Sequence, residues 1–393
     1  MNNRNIYIIV PFMIIVLFFN IATLLTPDKT KSDSESRNLA KAPTAIDLQN
    51  GTFASKYEKY FNDQIVLRER FVHLSVLKDM LFNKTNINGK YIIDKKYILE
   101  EPKIKDKDSD IEDTAKKVSK FCKDVDSLGK EFTYIMVPRK TTIQQELMPY
   151  YLNGQSSEFE KADTFLKILN SNNVHYINVM NYFKENFNQY QLKELYFRTD
   201  HHWNSKGAYE AFKYIINSIA EDKSEFQYNV EDADYETTIV KNIKFLGSLN
   251  RPLFLEVPYE TEVPYVHLKG DSSKEYLLLE NGKLNKVDER KIIANKVNTS
   301  DFLTYAQLYT NDLSYYKVIN SNYKIDKKLI IFKDSYENSM TWLISDLFKE
   351  VEVVDLRHTG KKTALDFVKQ SNADMVWIMY NNRNLSGDIF KLC

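Results

Sequence analysis

The stretch "KKLIIFKDSYENSMTWLISDLF", Lys327 to Phe348, decides how the rest of the chain is read. Leu329 to Phe332 are four large apolar residues without alternation, the pattern of a strand buried on both faces. Asp334-Ser335-Tyr336 interrupts the run, and "SMTWLISDLFKEV" resumes with helical spacing. A strand that hands over to a helix through a short turn is the repeating unit of an α/β fold. Its carboxyl edge is where open sheets bind ligands, and Ser335 stands there. The hydroxyl would lie near unpaired N–H groups at a helix start, which can stabilise an oxyanion. The same position also suits a helix-capping serine, and on this stretch alone both readings stand.

The alternation continues on either side. "TAKKVSKFCKDVDSLGK" is an amphipathic helix ending at Gly129, "EFTYIMVP" a buried strand, "FEKADTFLKILNSN" a helix and "VHYINVMNYF" a second strand. Downstream of Phe348 come the strand "EVEVVDL", the helix "TALDFVKQS" and the strand "ADMVWIMY". Short apolar strands separated by helices predict a mostly parallel sheet with helices on both faces. The stretch 221–297 has β-like alternation and turn signals and reads as an insertion. Upstream, Phe53 to Leu81 shows helical periodicity, and "INGKYIIDKKYILE" a hairpin. The expected organisation is an apolar segment 1–27, a polar tether 28–51, a helical and hairpin segment 52–105 and the α/β body 106–393.

Ile6 to Leu25 is apolar except for Asn20 and Thr23. At ~1.5 Å per residue it is long enough for a hydrocarbon core of ~30 Å. Arg4 and the amino terminus form the inner positive flank of a single-pass signal anchor that would leave the body outside the cytoplasm. A cleaved signal peptide would also export the body. The 54 basic and 54 acidic residues give a formal net charge of +0, which lacks the basic field nucleic acid requires. With 10 glycines and neither a GxGxxG nor a P-loop pattern, no nucleotide cofactor is expected. Cys122 and Cys393 are too few for a disulfide framework; they either bridge each other or stay free.

A serine needs a base, because a hydroxyl is a poor nucleophile at its own pKa. "FRTDHHWNSKG" (Phe197 to Gly207) offers one: residues i and i+2 of an extended or turn segment share a side, so Asp200 can reach His202 while His201 points elsewhere. A metal clip is the alternative for Asp200-His201-His202, but adjacent histidines rarely share an ion and no H-x-x-x-H or H-E-x-x-H spacing occurs.

"RTDHHWNSKGAYEAF", "IIFKDSYENS" and "VEVVDLRHTG" resemble the DHHW family of exported proteins, which are similar to the SGNH hydrolase-like domains of bacterial alginate O-acetylation proteins. "YFNDQIVLRERF" is similar to the family's F-x-D-x-x-x-x-R motif and "VPRKTTIQQELMP" to its V-P-x-K segment. The resemblance implies a circularly permuted SGNH-like fold in which Asp and His precede the serine. It implies Ser335 as nucleophile, His202 as base and Asp200 as its orienting partner. By the same resemblance Asn311 is an oxyanion donor, although Thr310 replaces the family's glycine there. Tyr336, His201 and Trp203 would bind substrate or shape the site, and Arg357 would hold the sheet edge or Asp334 or else touch substrate. The implied activity is O-acetyl transfer to an extracellular polysaccharide, beside a membrane-bound O-acyltransferase and a polysaccharide synthase. Hydrolysis by the same triad, as an acetylesterase, and non-catalytic polysaccharide binding or assembly are the other readings.

Overall fold

The computed structural model describes residues 3–32, 34, 37–102, 107–152, 157–222, 226, 228–270, 273–293 and 302–393. Residues 103–106 of the charged break after the hairpin and 294–297 of the expected insertion lie outside the described residues. The chain divides into two compact units, one of Met1–Gly89 with Asn250–Val257, the other of Lys90–Leu249 with Pro258–Cys393. The hairpin Lys90–Ile93 with Tyr97–Glu100 counts with the second unit.

The second unit is built on one eight-stranded sheet. Its strands are β1 (Glu131–Val137), β2 (Tyr176–Asn178), β3 (Lys274–Glu280), β4 (Lys283–Val287), β5 (Tyr315–Asn320), β6 (Ile325–Lys333), β7 (Phe348–Val354) and β8 (Met375–Asn381), in the spatial order β4-β3-β5-β7-β6-β8-β1-β2. The run from β7 to β2 is parallel throughout, and β5, β3 and β4 add antiparallel pairs at one edge. This is the mostly parallel α/β architecture that the alternation of strands and helices predicts. Leu329 to Phe332 of β6 are completely buried between β7 and β8, as their unbroken apolar run requires.

Three local expectations change. The helix after Ser335 runs only from Thr341 to Leu347, and Phe348 already pairs in β7. "VHYINVMNYF" gives a three-residue strand, because Asn178 accepts from Asn181 N–H and caps the helix Val179–Asn186. The stretch read as an insertion contributes β3 and β4 to the sheet, with Tyr276 and Leu278 of β3 alternating inward. Tyr235–Lys241 and Glu262–Leu268, paired with each other, form a separate ribbon, and Lys244–Phe245 pairs apart from the main sheet with Phe302–Leu303.

In the first unit the apolar helix spans Asn3–Leu25, and Ile6–Leu25, with a mean hydropathy of 2.7, is almost wholly exposed. Asn20, one of its two polar interruptions, donates its side-chain amide back to Val16 O at 2.7 Å. The described part of the expected tether is ordered locally. Arg37 grips both oxygens of Asp63 at 2.9 and 2.6 Å, and Ala40 N–H donates to Asp63 Oδ2 at 2.8 Å. Ala45–Gln49 forms a short helix capped by Thr44 and Asp47. Helices Phe53–Gln64 and Arg68–Leu81 follow, separated by a turn in which Leu67 takes a left-handed φ of 64°.

Cys122 is buried and Cys393 exposed, and both thiols are free.

Candidate active site

Strand β6 ends at Lys333, and the next residues make the turn. Asp334 fixes it: Oδ1 accepts Tyr336 N–H at 3.0 Å, while Oδ2 accepts from Asn381 N–H and Nδ2, both at 2.7 Å, and from Asn384 Nδ2 at 3.1 Å. A carboxylate with its acceptor sites filled by neutral donors tolerates burial. Asp334 and Tyr336 are buried, whereas Ser335 between them keeps partial exposure. Its N–H meets no acceptor among the described residues, and a helical turn begins two residues on.

The partner loop is Phe197–Trp203. It closes on itself through Phe197 N–H to His202 O at 3.2 Å and Asn204 N–H to Leu195 O at 2.9 Å. Every carbonyl from Phe197 to His202 has a donor. Lys140 Nζ, fully buried, donates to Phe197 O at 2.7 Å and to Arg198 O and Asp200 O at 3.0 Å, besides Ile98 O at 2.7 Å. Leu249 N–H reaches Thr199 O, and Tyr336 O–H reaches His201 O. Four carbonyls around one ammonium, with the Tyr97 ring 3.9 Å away, compensate a buried charge without a counter-ion in contact. Burial pushes the Lys140 amine below its usual range, against the pull of Glu260 and Asp200.

Asp200 and His202 meet as the i+2 spacing suggests. His202 Nδ1 is 2.6 Å from Asp200 Oδ1, and its Nε2 is 2.7 Å from Ser335 Oγ. Asp200 also accepts His202 N–H at 3.0 Å on Oδ1 and Ser248 N–H at 2.7 Å on Oδ2. Burial opposes its charge, yet the two imidazoles and these donors hold its carboxyl well below the usual range. The contact with Ser248 needs the preceding glycine, since a Cβ on Gly247 would meet Thr199 O at 2.2 Å.

The His202 ring is fixed from both sides. Tyr305 stacks on it at 3.8 Å and 10°, and His201 lies 3.8 Å away on its own. His201 is anchored by Ser248 Oγ at 2.8 Å from Nδ1; desolvation and the neighbouring His202 push its pKa down to about 3. Trp203 Nε1 donates to Tyr336 O and Ser339 Oγ, both at 2.9 Å, which pins the histidine loop to the serine turn.

Asn311 does not join this group. Its Nδ2 donates to Lys291 O at 3.1 Å, because the chain after Tyr309 pairs toward Ile292–Ile293 instead of the serine. Arg357 chelates Asp355, at 2.9 and 2.6 Å, and not Asp334. Lys140, Ser248 and Tyr305 were not singled out as site residues from the sequence. The ligand atoms of Asp200, His201 and His202 lie within 4.8 Å of one another, close enough to gather an ion. Both ring nitrogens of His202 and Nδ1 of His201 are already engaged, so an ion would have to displace Ser335, Asp200 or Ser248.

Residues 97–282 match the family described as the SGNH hydrolase-like domain of the acetyltransferase AlgX. Among solved structures, Bacillus cereus PatB1 with a sulfonyl adduct is 26% identical, covers 78% of this chain and 99% of its own, and superposes with a TM-score of 0.68. A DHHW family protein from Eubacterium siraeum DSM 15702 shares the fold at 21% identity and a TM-score of 0.60, covering 77% of this chain and 93% of its own. No curated protein sequence matches the chain. The resemblance to SGNH hydrolase-like acetyltransferase domains is thus shown by sequence over residues 97–282, and the likeness to a DHHW family protein by fold. The class is that of SGNH-type enzymes, an O-acyltransferase or an esterase.

Proposed function

We propose that this protein is an extracytoplasmic, serine-dependent O-acetyltransferase of a cell-surface or secreted polysaccharide. The observation that carries this reading is the unbroken chain Asp200 Oδ1–His202–Ser335 Oγ, with contacts of 2.6 and 2.7 Å. These fall within the reach proton transfer needs. The match to an acetyltransferase domain supports acyl transfer as the reaction and polysaccharide as the acceptor.

In the first half-reaction His202 Nε2 takes the Ser335 proton as Oγ attacks the acetyl carbonyl of the donor. The Ser335 N–H, which has no other acceptor among the described residues, faces the developing oxyanion. Collapse of the tetrahedral intermediate breaks the bond to the leaving group, which receives the proton from His202, and leaves acetyl-Ser335. In the second half-reaction a sugar hydroxyl gives its proton to His202 and attacks the acetyl carbon. The ester passes to the sugar and Ser335 regains its proton. Asp200 keeps Nδ1 protonated throughout and stabilises the imidazolium that forms twice per turnover. The stacked Tyr305 and the His201 ring confine the imidazole so that Nε2 stays on the serine. The apolar helix Asn3–Leu25 would hold the enzyme at the outer face of a membrane, where a membrane-bound O-acyltransferase could supply acetyl groups to a polymer leaving its synthase.

The reaction is tested with an activated acetyl ester and a panel of polysaccharides, comparing wild type with Ser335→Ala. Acetylated polymer from the wild type alone supports the proposal. Release of acetate with no acetylated polymer would instead make the protein an esterase, and neither product would remove both enzyme readings.

A further inference from the structure

Helix Arg68–Leu81 in the first unit turns its apolar residues outward. Leu67, Phe71, Leu74, Leu77, Leu81 and Phe82 are between 38% and 79% exposed. At ~100° per residue Phe71, Leu74, Leu77 and Leu81 fall within an arc of about 120°, a continuous face, with Leu67 and Phe82 flanking the helix. The opposite face is covered inside the same unit. Val76 is buried, His73 Nε2 lies 2.7 Å from Glu256 Oε1, and the His73 ring stacks on Phe254 at 4.6 Å. An exposed apolar face of this length beside a satisfied one marks an interaction surface.

Two contacts tie this face to the apolar helix Asn3–Leu25. Val66 N–H donates to the buried Thr23 Oγ1 at 3.1 Å, and the Phe71 ring meets Phe19 edge-on at 5.5 Å. Phe19 precedes Leu25 by six residues, so Phe71 sits ~9 Å inward from the end of the apolar helix. That matches the ~5–10 Å by which an interfacial amphipathic helix buries its apolar side. Arg70 and Lys78 lie within the same arc, where their long stems can follow the apolar surface and carry the charge to headgroup phosphates.

We infer that helix Arg68–Leu81 lies in the outer interface of the membrane, its Leu67–Phe82 face set among headgroups and the upper acyl chains. The inference rests on reading Ile6–Leu25 as a membrane span. It gives the protein a second, peripheral membrane contact besides the span.

The test uses the full chain with Cys393→Ser, leaving buried Cys122 in place, reconstituted in vesicles of mixed zwitterionic and anionic phosphatidyl lipids. An environment-sensitive fluorophore is attached at Leu74→Cys, at Leu81→Cys or, as the reference within the span, at Val16→Cys. Nitroxide lipids carry the quencher either near the headgroup or deep in the acyl chain. The expected result is that labels at 74 and 81 shift to the blue and lose about half their emission to the shallow nitroxide, while the label at 16 is quenched by the deep one. Quenching at 16 with none at 74 and 81 overturns the inference and leaves the span intact. A blue-shifted label at 74 that no nitroxide lipid reaches also overturns it, in favour of a protein partner or a second copy. No quenching at 16 removes the span, and the inference with it.

Discussion

Two segments of this chain are organised by a carboxylate that gathers donors around itself, one in each unit. Asp200 takes His202 N–H and Nδ1 together with Ser248 N–H; Asp63 takes two Arg37 nitrogens and Ala40 N–H. The bonding count is similar and the surroundings are not. Asp200 is 1% exposed and its partners are imidazole and backbone. Arg37, which neutralises Asp63, keeps 39% of its side-chain surface in solvent, where salt screens the pair. The buried carboxylate aims an imidazole at a serine, and its removal would strand that imidazole in a site with no replacement solvent. The outer one fastens a polar segment to a helix at modest gain.

The comparison breaks first at the serine. Ser335→Ala should lower kcat for acetyl transfer by about 10⁶-fold, with thermal stability close to wild type, as measured by steady-state kinetics and calorimetry. Asp200→Asn should follow at on the order of 10⁴-fold, because an amide can hold the imidazole in the wrong tautomer. Should Asp200→Asn retain near-normal kcat, the two carboxylates would be equivalent fasteners and the contrast would be lost.

Lys140 sharpens the contrast from the far side of the loop. Its ammonium spans the carbonyls of Phe197, Arg198 and Asp200, so Lys140→Met should cost about 3 kcal/mol in stability. In the folded fraction kcat should fall roughly 10- to 100-fold with little change in KM, since the base is displaced and not removed. A purely structural role would lower stability and leave kcat per folded molecule unchanged.

The smallest effect belongs to Asp63. Its pKa is lowered to about 2, chiefly by the Arg37 hydrogen bonds. A depressed folded-state pKa contributes stability that is present above the unfolded carboxylate value of about 4 and is lost as pH falls toward the folded value. Asp63→Asn should therefore cost at most about 1 kcal/mol at pH 7, flatten the acid limb of unfolding between about pH 4 and 2, and lose its effect in high salt. Activity toward a soluble acetyl ester should not change.

What could be read from the sequence follows from distance along the chain. The strand Leu329–Phe332 and the turn at Ser335 lie in one stretch of periodicity, and Asp200 reaches His202 across a single residue. Chemistry that local leaves a local signature. Ser248 and Lys140 reach the same loop from about 50 and 60 residues away, and Tyr305 from about 100, so no spacing rule ties them to it. The available hints were Gly247, a glycine followed by a polar residue in a chain with only 10 glycines, and the V-P-x-K segment that ends at Lys140. Asn311 went astray for the complementary reason. Its place in the chain suited an oxyanion donor, but the bridge between Ile293 and Thr310 turns its amide to Lys291. Strands β3 and β4 were hidden because an edge pair alternates polar and apolar residues as an independent ribbon would.

The central claim is that Ser335, activated through His202 and Asp200, carries the acyl group. Rapid quenching of the full-length enzyme with an activated acetyl ester, followed by peptide mass mapping, tests it most directly. One acetyl group on Ser335, formed in a burst by the wild type, strongly slowed in Asp200→Asn and absent from Ser335→Ala, is the predicted result. Turnover of the ester with no acetylated Ser335, or with the acetyl group on another side chain, would contradict it.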